Sequence, residues 1–298
     1  MRIHWFIRLM AVWLAFWPQL PGAAEQTPLI FFALGDHGSG SADQRRVATA
    51  MERVAAQNGG VAFVLLLGDN FYPNGIASVQ DPQWQTKFER IYTGPHLERV
   101  PFYAILGNHD IRANPEAQVA YGRQRLGSGR WRMAGRNDWL DQGQTVRDGP
   151  LVRLILLDAT LPLDEQNRFL LESAARQPEP VWRVVASHYP LRSGGPHGDS
   201  AELLRHFLPA LRVARADLHL SGHDHILQLL RAPDEPVYVV SGAGGHTLYP
   251  LQTRSAWSEF AAERFGFLRV MVSETVMELT FHDDEGGVLH RSLLQRDR

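Results

Sequence analysis

Apolar and polar residues alternate in two rhythms along this chain. Short, mostly apolar runs at residues 29–34, 61–67 and 102–106 have the length of buried strands, while residues 43–57 repeat apolar positions at helical spacing. The rhythm continues, with strands expected at 151–157, 182–187, 217–220 and 237–240 and helices at 164–176 and 201–212. Strand alternating with helix implies parallel pairing under a cover of helices. The chain ends differently. Residues 267–272, 275–282 and 287–294 read as antiparallel strands, the last two joined by the turn Asp284-Glu285-Gly286-Gly287. The pattern predicts an α/β fold of two β-sheets, parallel in the N-terminal half and antiparallel at the C-terminal end, in a single domain over residues 25–298. Residues 111–149, rich in Gly, Arg and Trp, are the least regular stretch, expected to be a solvated excursion or a lid beside a site.

Composition narrows the class. With 298 residues and 44% hydrophobic content the chain can bury a large core, which excludes disorder as its main state. A net charge of −2 without any Lys/Arg-rich run argues against a nucleic-acid or anionic-membrane partner. Residues 1–24 stand apart. Arg2, His4 and Arg8 precede an apolar stretch from Leu9 to Trp17, and Gly22 and Ala24 are small residues at the −3 and −1 positions of a cleavage point. That is the layout of a secretory signal peptide and predicts an exported protein, periplasmic or secreted, free of the membrane after cleavage. An uncleaved anchor is the alternative, but the apolar run falls short of the ~20 residues a spanning helix needs. There is no cysteine, so disulfides, thiolate ligands and a cysteine nucleophile are all excluded. Any metal must be held by oxygen and nitrogen, a set that suits Fe, Mn or Zn in a hydrolytic site.

Candidate chemistry sits at strand ends. Gly35-Asp36-His37-Gly38, Gly68-Asp69-Asn70-Phe71-Tyr72 and Gly107-Asn108-His109-Asp110 follow the first three strands, and Ser187-His188-Tyr189-Pro190 and Gly222-His223-Asp224-His225 follow later ones. Carboxyl ends of parallel strands converge on one rim, where ligand sites form in open α/β sheets, so the clusters should meet. Glycine before each polar residue is expected to let the backbone turn sharply towards an ion. Singly, each residue has a plain structural reading, Asp36 or Asp69 as a helix cap and Asn108 as a turn residue. Together they supply ligands enough for two ions, with Asp69 the natural carboxylate to serve both.

The ordered set GD, GDN, GNHD, SHYP and GHDH resembles the calcineurin-like metallophosphoesterases. Position 38 is Gly where many members carry a metal-binding His, and Tyr72 lies three residues after Asp69, as in the purple acid phosphatases. Gln228 after the GHDH run, the stretch Ala117-Gln118-Val119-Ala120-Tyr121 to Arg130-Trp131 and the closing hairpin are similar to the small, tartrate-resistant type, over residues 29 to 295. The resemblance implies a four-layer sandwich of two mixed sheets flanked by helices. It implies one ion, ferric, held by Asp36, Asp69, Tyr72 and His225, and a second, Fe(II), Zn(II) or Mn(II), held by Asp69, Asn108, His188 and His223. It also makes His109 and His197 substrate-contacting histidines, with His109 protonating the leaving group and Asp110 a candidate to orient it. His37 stands where that family often has Trp and is expected to face solvent rather than alter the pocket.

The implied activity is hydrolysis of small phosphate monoesters by direct attack of metal-bound hydroxide, without a phosphoenzyme. A phosphodiesterase or nucleotide hydrolase on the same site is the nearest alternative, because pocket walls set substrate choice. A catalytically silent protein that binds phosphate or metal is the alternative from another class.

Overall fold

The computed structural model describes residues 27–253 and 255–296, so the expected leader at 1–24 lies outside the described residues. The elements run β1 (Leu29–Leu34), α1 (Ala42–Gln57), β2 (Phe63–Leu66), β3 (Phe102–Ala104), α2 (Pro115–Arg123), β4 (Trp131–Arg132), β5 (Asp138–Gln144), β6 (Pro150–Leu157), α3 (Leu163–Ala174) and β7 (Trp182–Ser187). They continue with α4 (Ala201–His206), α5 (Leu208–Val213), β8 (Leu218–Ser221), β9 (Leu227–Leu230), β10 (Val237–Ser241), β11 (Ser258–Ala262), β12 (Gly266–Val272), β13 (Val276–Asp283) and β14 (Val288–Gln295).

These strands form two seven-stranded sheets, ordered β14-β13-β12-β1-β2-β3-β4 and β11-β9-β10-β8-β7-β6-β5. Both are mixed: the first is parallel from β1 to β4 and antiparallel from β1 to β14, and the second is parallel from β10 to β6 and antiparallel at both edges. Strand periodicity builds the layers. In β1, Phe31 and Ala33 pack between the sheets with Leu154, Val184 and Leu220, while Phe32 and Leu34 face Val47, Met51 and Val54 of α1. A third cluster covers the far face, where Leu170 and Leu211 pack on Ile155 and Val185. Helix, sheet, sheet and helix make four layers. Each fully buried Leu or Phe contributes roughly 1.5–3 kcal/mol, which lets a chain without disulfides rely on its core.

Two expectations change. The helix expected over 201–212 is two helices, α4 and α5, separated at Phe207. Pro209 sits in the first turn of α5; it has no amide hydrogen to continue the preceding helix, and its ring clashes with the carbonyl four residues back. Residues 111–149 are neither a solvated excursion nor a free lid. They supply α2, the edge strand β4 to one sheet and the edge strand β5 to the other, and Tyr121 and Trp131 are buried. Trp84 stacks on Tyr121 with ring centroids 3.6 Å apart. Among the described residues no helix is long and apolar enough to cross a membrane.

Candidate metal centre

The carboxyl ends of β1, β2, β3, β7, β8 and β10 meet at one rim, and backbone hydrogen bonds lock them there. Gly35 N–H donates to Ser241 O (2.7 Å), Asp36 N–H to Gly68 O (3.0 Å), Gly222 N–H to His188 O (3.1 Å) and Gly244 N–H to Gly35 O (3.1 Å). The sharp turn falls on the polar residues themselves, not on the glycines before Asp36 and His223. Asp36, Asp69 and His223 adopt left-handed backbone, with φ of 56°, 53° and 68°. The glycines serve close approach instead. A Cβ at Gly107 would lie 2.2 Å from Asp69 Oδ1, and one at Gly222 2.4 Å from Asp36 Oδ2.

The predicted ligands form two groups that share Asp69. In the first, the Tyr72 hydroxyl lies 3.0 Å from Asp36 Oδ1, 2.9 Å from Asp69 Oδ2 and 3.1 Å from His225 Nε2. In the second, His188 Nε2 lies 3.1 Å from Asn108 Oδ1 and 3.6 Å from Asp69 Oδ1, and the His223 ring is 5.1 Å from that of His188. One donor atom each from Asp36, Asp69 and His188 lie within 4.8 Å of one another. The histidines are preset for ligation. His188 donates its Nδ1–H to Leu67 O (2.8 Å) and His225 donates its own to Thr247 O (2.6 Å), which leaves each Nε2 with a lone pair.

Electrostatics agree with a cation-binding role. Burial acts to raise the Asp36 pKa, yet the hydrogen bond from His225 and the charges of His188, His225 and His223 leave it lowered. Burial acts to lower the His188 pKa, but the Asp69 and Asp36 carboxylates raise it. Burial, then the Asp36 and Asp69 charges, drive the Tyr72 phenol far above its usual value. A phenolate between two buried carboxylates requires a cation, and the oxygen-rich donor set fits one.

His109 donates Nδ1–H to Pro73 O (2.6 Å), which leaves Nε2 4.0 Å from Asp69 Oδ2, and its backbone N–H donates to Asp69 Oδ1 (2.8 Å). His197 donates Nδ1–H to Asp224 Oδ1 (2.6 Å) and stacks on His223 with centroids 3.9 Å apart. Asp110 does not orient His109. Its carboxylate instead accepts from the backbone N–H groups of Gly107 and Asn70 and from the side chain of Gln118, bracing the loops behind Asp69. Burial, then the Asp69 charge, pushes Asp110 up to about 7. His37 is fully buried and does not face solvent, because Asn70, Tyr92 and Gln44 engage both its ring nitrogens.

Three participants escaped the sequence reading. His246 stacks on Tyr72 at 3.9 Å, and its buried Nδ1 has no hydrogen-bond partner among the described residues. Tyr249 stacks on His225 at 4.0 Å, and Asp224 holds His197. His246 carried a usable signal, since Gly242-Ala243-Gly244-Gly245-His246 is one more glycine-rich polar cluster directly after an apolar strand.

Residues 29–227 match the family model described as calcineurin-like phosphoesterase, and residues 235–291 match that of the iron/zinc purple acid phosphatase-like protein C. Purple acid phosphatase 3 of Arabidopsis thaliana is 31% identical over 293 residues, covering 87% of this chain and 76% of that one. Tartrate-resistant acid phosphatase type 5 of Sus scrofa is 28% identical over 323 residues, covering 93% and 92%. Two solved structures share the fold. GAP50, the anchor in the inner membrane complex of Plasmodium, has a TM-score of 0.81 at 23% identity over 92% of this chain and 90% of its own. The purple acid phosphatase PPD1 from yellow lupin has a TM-score of 0.72 at 16% identity over 91% and 54%. With the strand-end ligand set in place and both family models matched, the chain belongs to the calcineurin-like phosphoesterases, in their purple acid phosphatase family.

Proposed function

We propose that this chain hydrolyses phosphate monoesters with the help of two metal ions. The observation that carries the reading is Asp69, whose Oδ2 meets Tyr72 in one group of donors while its Oδ1 faces His188 in the other. Asp36, Asp69, Tyr72 and His225 would hold Fe(III), since hard anionic donors favour a trivalent ion; Asp69, Asn108, His188 and His223, with more neutral donors, would hold Fe(II), Zn(II) or Mn(II). Bound there, the ions supply positive charge against the phosphate and water with a pKa of about 7 or below. His109, fixed through Nδ1 and free at Nε2, gives the leaving oxygen its proton. His197, held by Asp224 and stacked on His223, would be the second histidine to contact the ester. Water activated by the ions would displace the alcohol directly and in line, without a phosphoenzyme. The relatives named acid phosphatases support the monoester choice. The anchor among the solved structures shares the fold alone, so activity has to be argued from the site.

The test is protein reconstituted with iron, alone and with zinc, assayed on 4-nitrophenyl phosphate and its bis-ester while the visible spectrum is recorded. Tyrosinate bound to ferric iron should colour the protein purple, the monoester should turn over faster in acid, and Tyr72→Phe should bleach the band. A colourless, active, iron-loaded protein removes Tyr72 from the ligand set. Faster cleavage of the diester replaces the monoesterase reading, and full metal loading without turnover of either ester replaces the enzyme with a binding protein.

A further inference from the structure

A cavity of about 440 Å³ opens beside His197 and His223. Its walls are Leu161, Pro162 and Leu163 at the start of α3, Leu203 of α4, and Tyr189, the residue after His188. The volume lies in the range of roughly 300–1,000 Å³ that accommodates organic ligands.

Two of the polar side chains in this wall already have partners. Gln166 donates its amide to Leu161 O (2.6 Å), and the Ser200 hydroxyl caps α4 by accepting from Leu203 N–H (3.2 Å). Glu202 is the one formally charged carboxylate on the lining, and neither Lys nor Arg lines it. The nearby Arg136 guanidinium is committed to Asp158 and Thr160.

We propose that this cavity is the leaving-group subsite and that it selects an uncharged aromatic alcohol over an anionic one. The proposal rests on the phosphatase reading above and adds the substrate class. An aromatic ring placed there removes apolar surface from water against three leucines and meets the Tyr189 ring. An anionic group would meet the Glu202 carboxylate with no Lys or Arg on the lining to offset it. In the hydrolysis, water oxygen bonds to phosphorus and the P–O bond to the alcohol breaks. The departing oxygen takes the proton given by His109 and the attacking water releases one to solvent, leaving the free aromatic alcohol in the cavity and inorganic phosphate at the ligand cluster. His197, with Nδ1–H given to Asp224, stands where the two halves of the ester part.

The experiment compares kcat/KM of the metal-loaded protein for ethyl phosphate, 2-phenylethyl phosphate and 2-(4-carboxyphenyl)ethyl phosphate, whose leaving alcohols differ little in acidity. The phenyl ester should exceed both others by about tenfold or more, as contacts with an apolar pocket allow. Leu161→Asp should remove that advantage while ethyl phosphate turnover is retained. Leu203→Arg should move the preference about tenfold towards the carboxylated ester. Equal kcat/KM across the three esters, or variants that change all of them in parallel, would overturn the subsite. If no ester turns over at all, the phosphatase reading fails, and calorimetric binding of 2-phenylethylphosphonate against ethylphosphonate still reads the cavity. Equal affinity for the two would then overturn the proposal on its own.

Discussion

His37 has both ring nitrogens engaged in the interior, Nε2 with Asn70 Oδ1 at 3.2 Å and Nδ1 with Tyr92 Oη at 2.9 Å. Burial holds its pKa at about 4, so it stays neutral with one N–H and one lone pair, as those partners require. Asn70 in turn donates to Asp110, which braces the Gly107 turn behind Asp69. His37→Phe fills a similar volume but leaves Asn70 Oδ1 without a donor and the Tyr92 O–H without an acceptor. Urea denaturation should show a loss of about 1–3 kcal/mol, the usual cost of buried polar groups left unsatisfied. The ligand residues were legible because their clusters follow apolar runs, with a glycine directly before Asp36, Asp69, Asn108 and His223, a pattern that geometry turns into convergence. His37 was not, because a histidine in a polar cluster carries no mark of whether its ring points in or out. Asp110 misled for a related reason: adjacency to His109 suggested an orienting role, whereas its carboxylate turns back to the backbone amides around it.

At the scale of elements, the strand ends and the backbone hydrogen bonds that join them set the ligand positions. Gly107→Ala tests this, because its Cβ would meet Asp69 Oδ1 and, at 2.5 Å, Asp69 N, a backbone atom with nowhere to move. Thermal unfolding should report a destabilisation of about 1–3 kcal/mol, typical of an overpacked interior, and titration with zinc should show weakened binding because the displaced carboxylate serves both groups. Buried strands such as β1, β6 and β7 were readable as continuous apolar runs with nearly their observed limits. Edge strands were not. β5, Asp138–Gln144, is half exposed along most of its length and mixes charge with apolar residues, so it carries the signature of neither face. The division of 201–212 into α4 and α5 was written in Pro209, but its location within a helical apolar pattern concealed the break.

For the whole molecule, acid is the condition that matters, because the proposed reaction is favoured there while the fold carries buried neutral histidines. His219 is fully buried in the second sheet, its Nε2 2.8 Å from Ser187 Oγ and its Nδ1 without a partner among the described residues. Burial depresses its pKa from the ordinary 6.5 to about 3. The folded state therefore disfavours the proton that the unfolded chain accepts. This contribution to stability is fully present above pH 6.5 and is lost as pH falls towards 3, at up to about 1.4 kcal/mol per pH unit. His219→Gln should reduce the slope of unfolding free energy against pH between 6 and 4, measured by urea titration at each pH. Which strands share a sheet was the least legible level, since β1 sits between β2 and β12, segments at opposite ends of the chain. The left-handed backbone at Asp36, Asp69 and His223 has a consequence at this scale too. Glycine would relax the backbone at all three positions, each by roughly 1 kcal/mol, but it would also remove the carboxylate oxygens of Asp36 and Asp69 that accept from His223 N–H and His109 N–H. A descendant of this chain released from selection for catalysis would be free to replace these residues with glycine wherever the relieved strain exceeds the lost hydrogen bond. In any protein built on this scaffold, the identities at these three turns would therefore tell a living enzyme from a retired one.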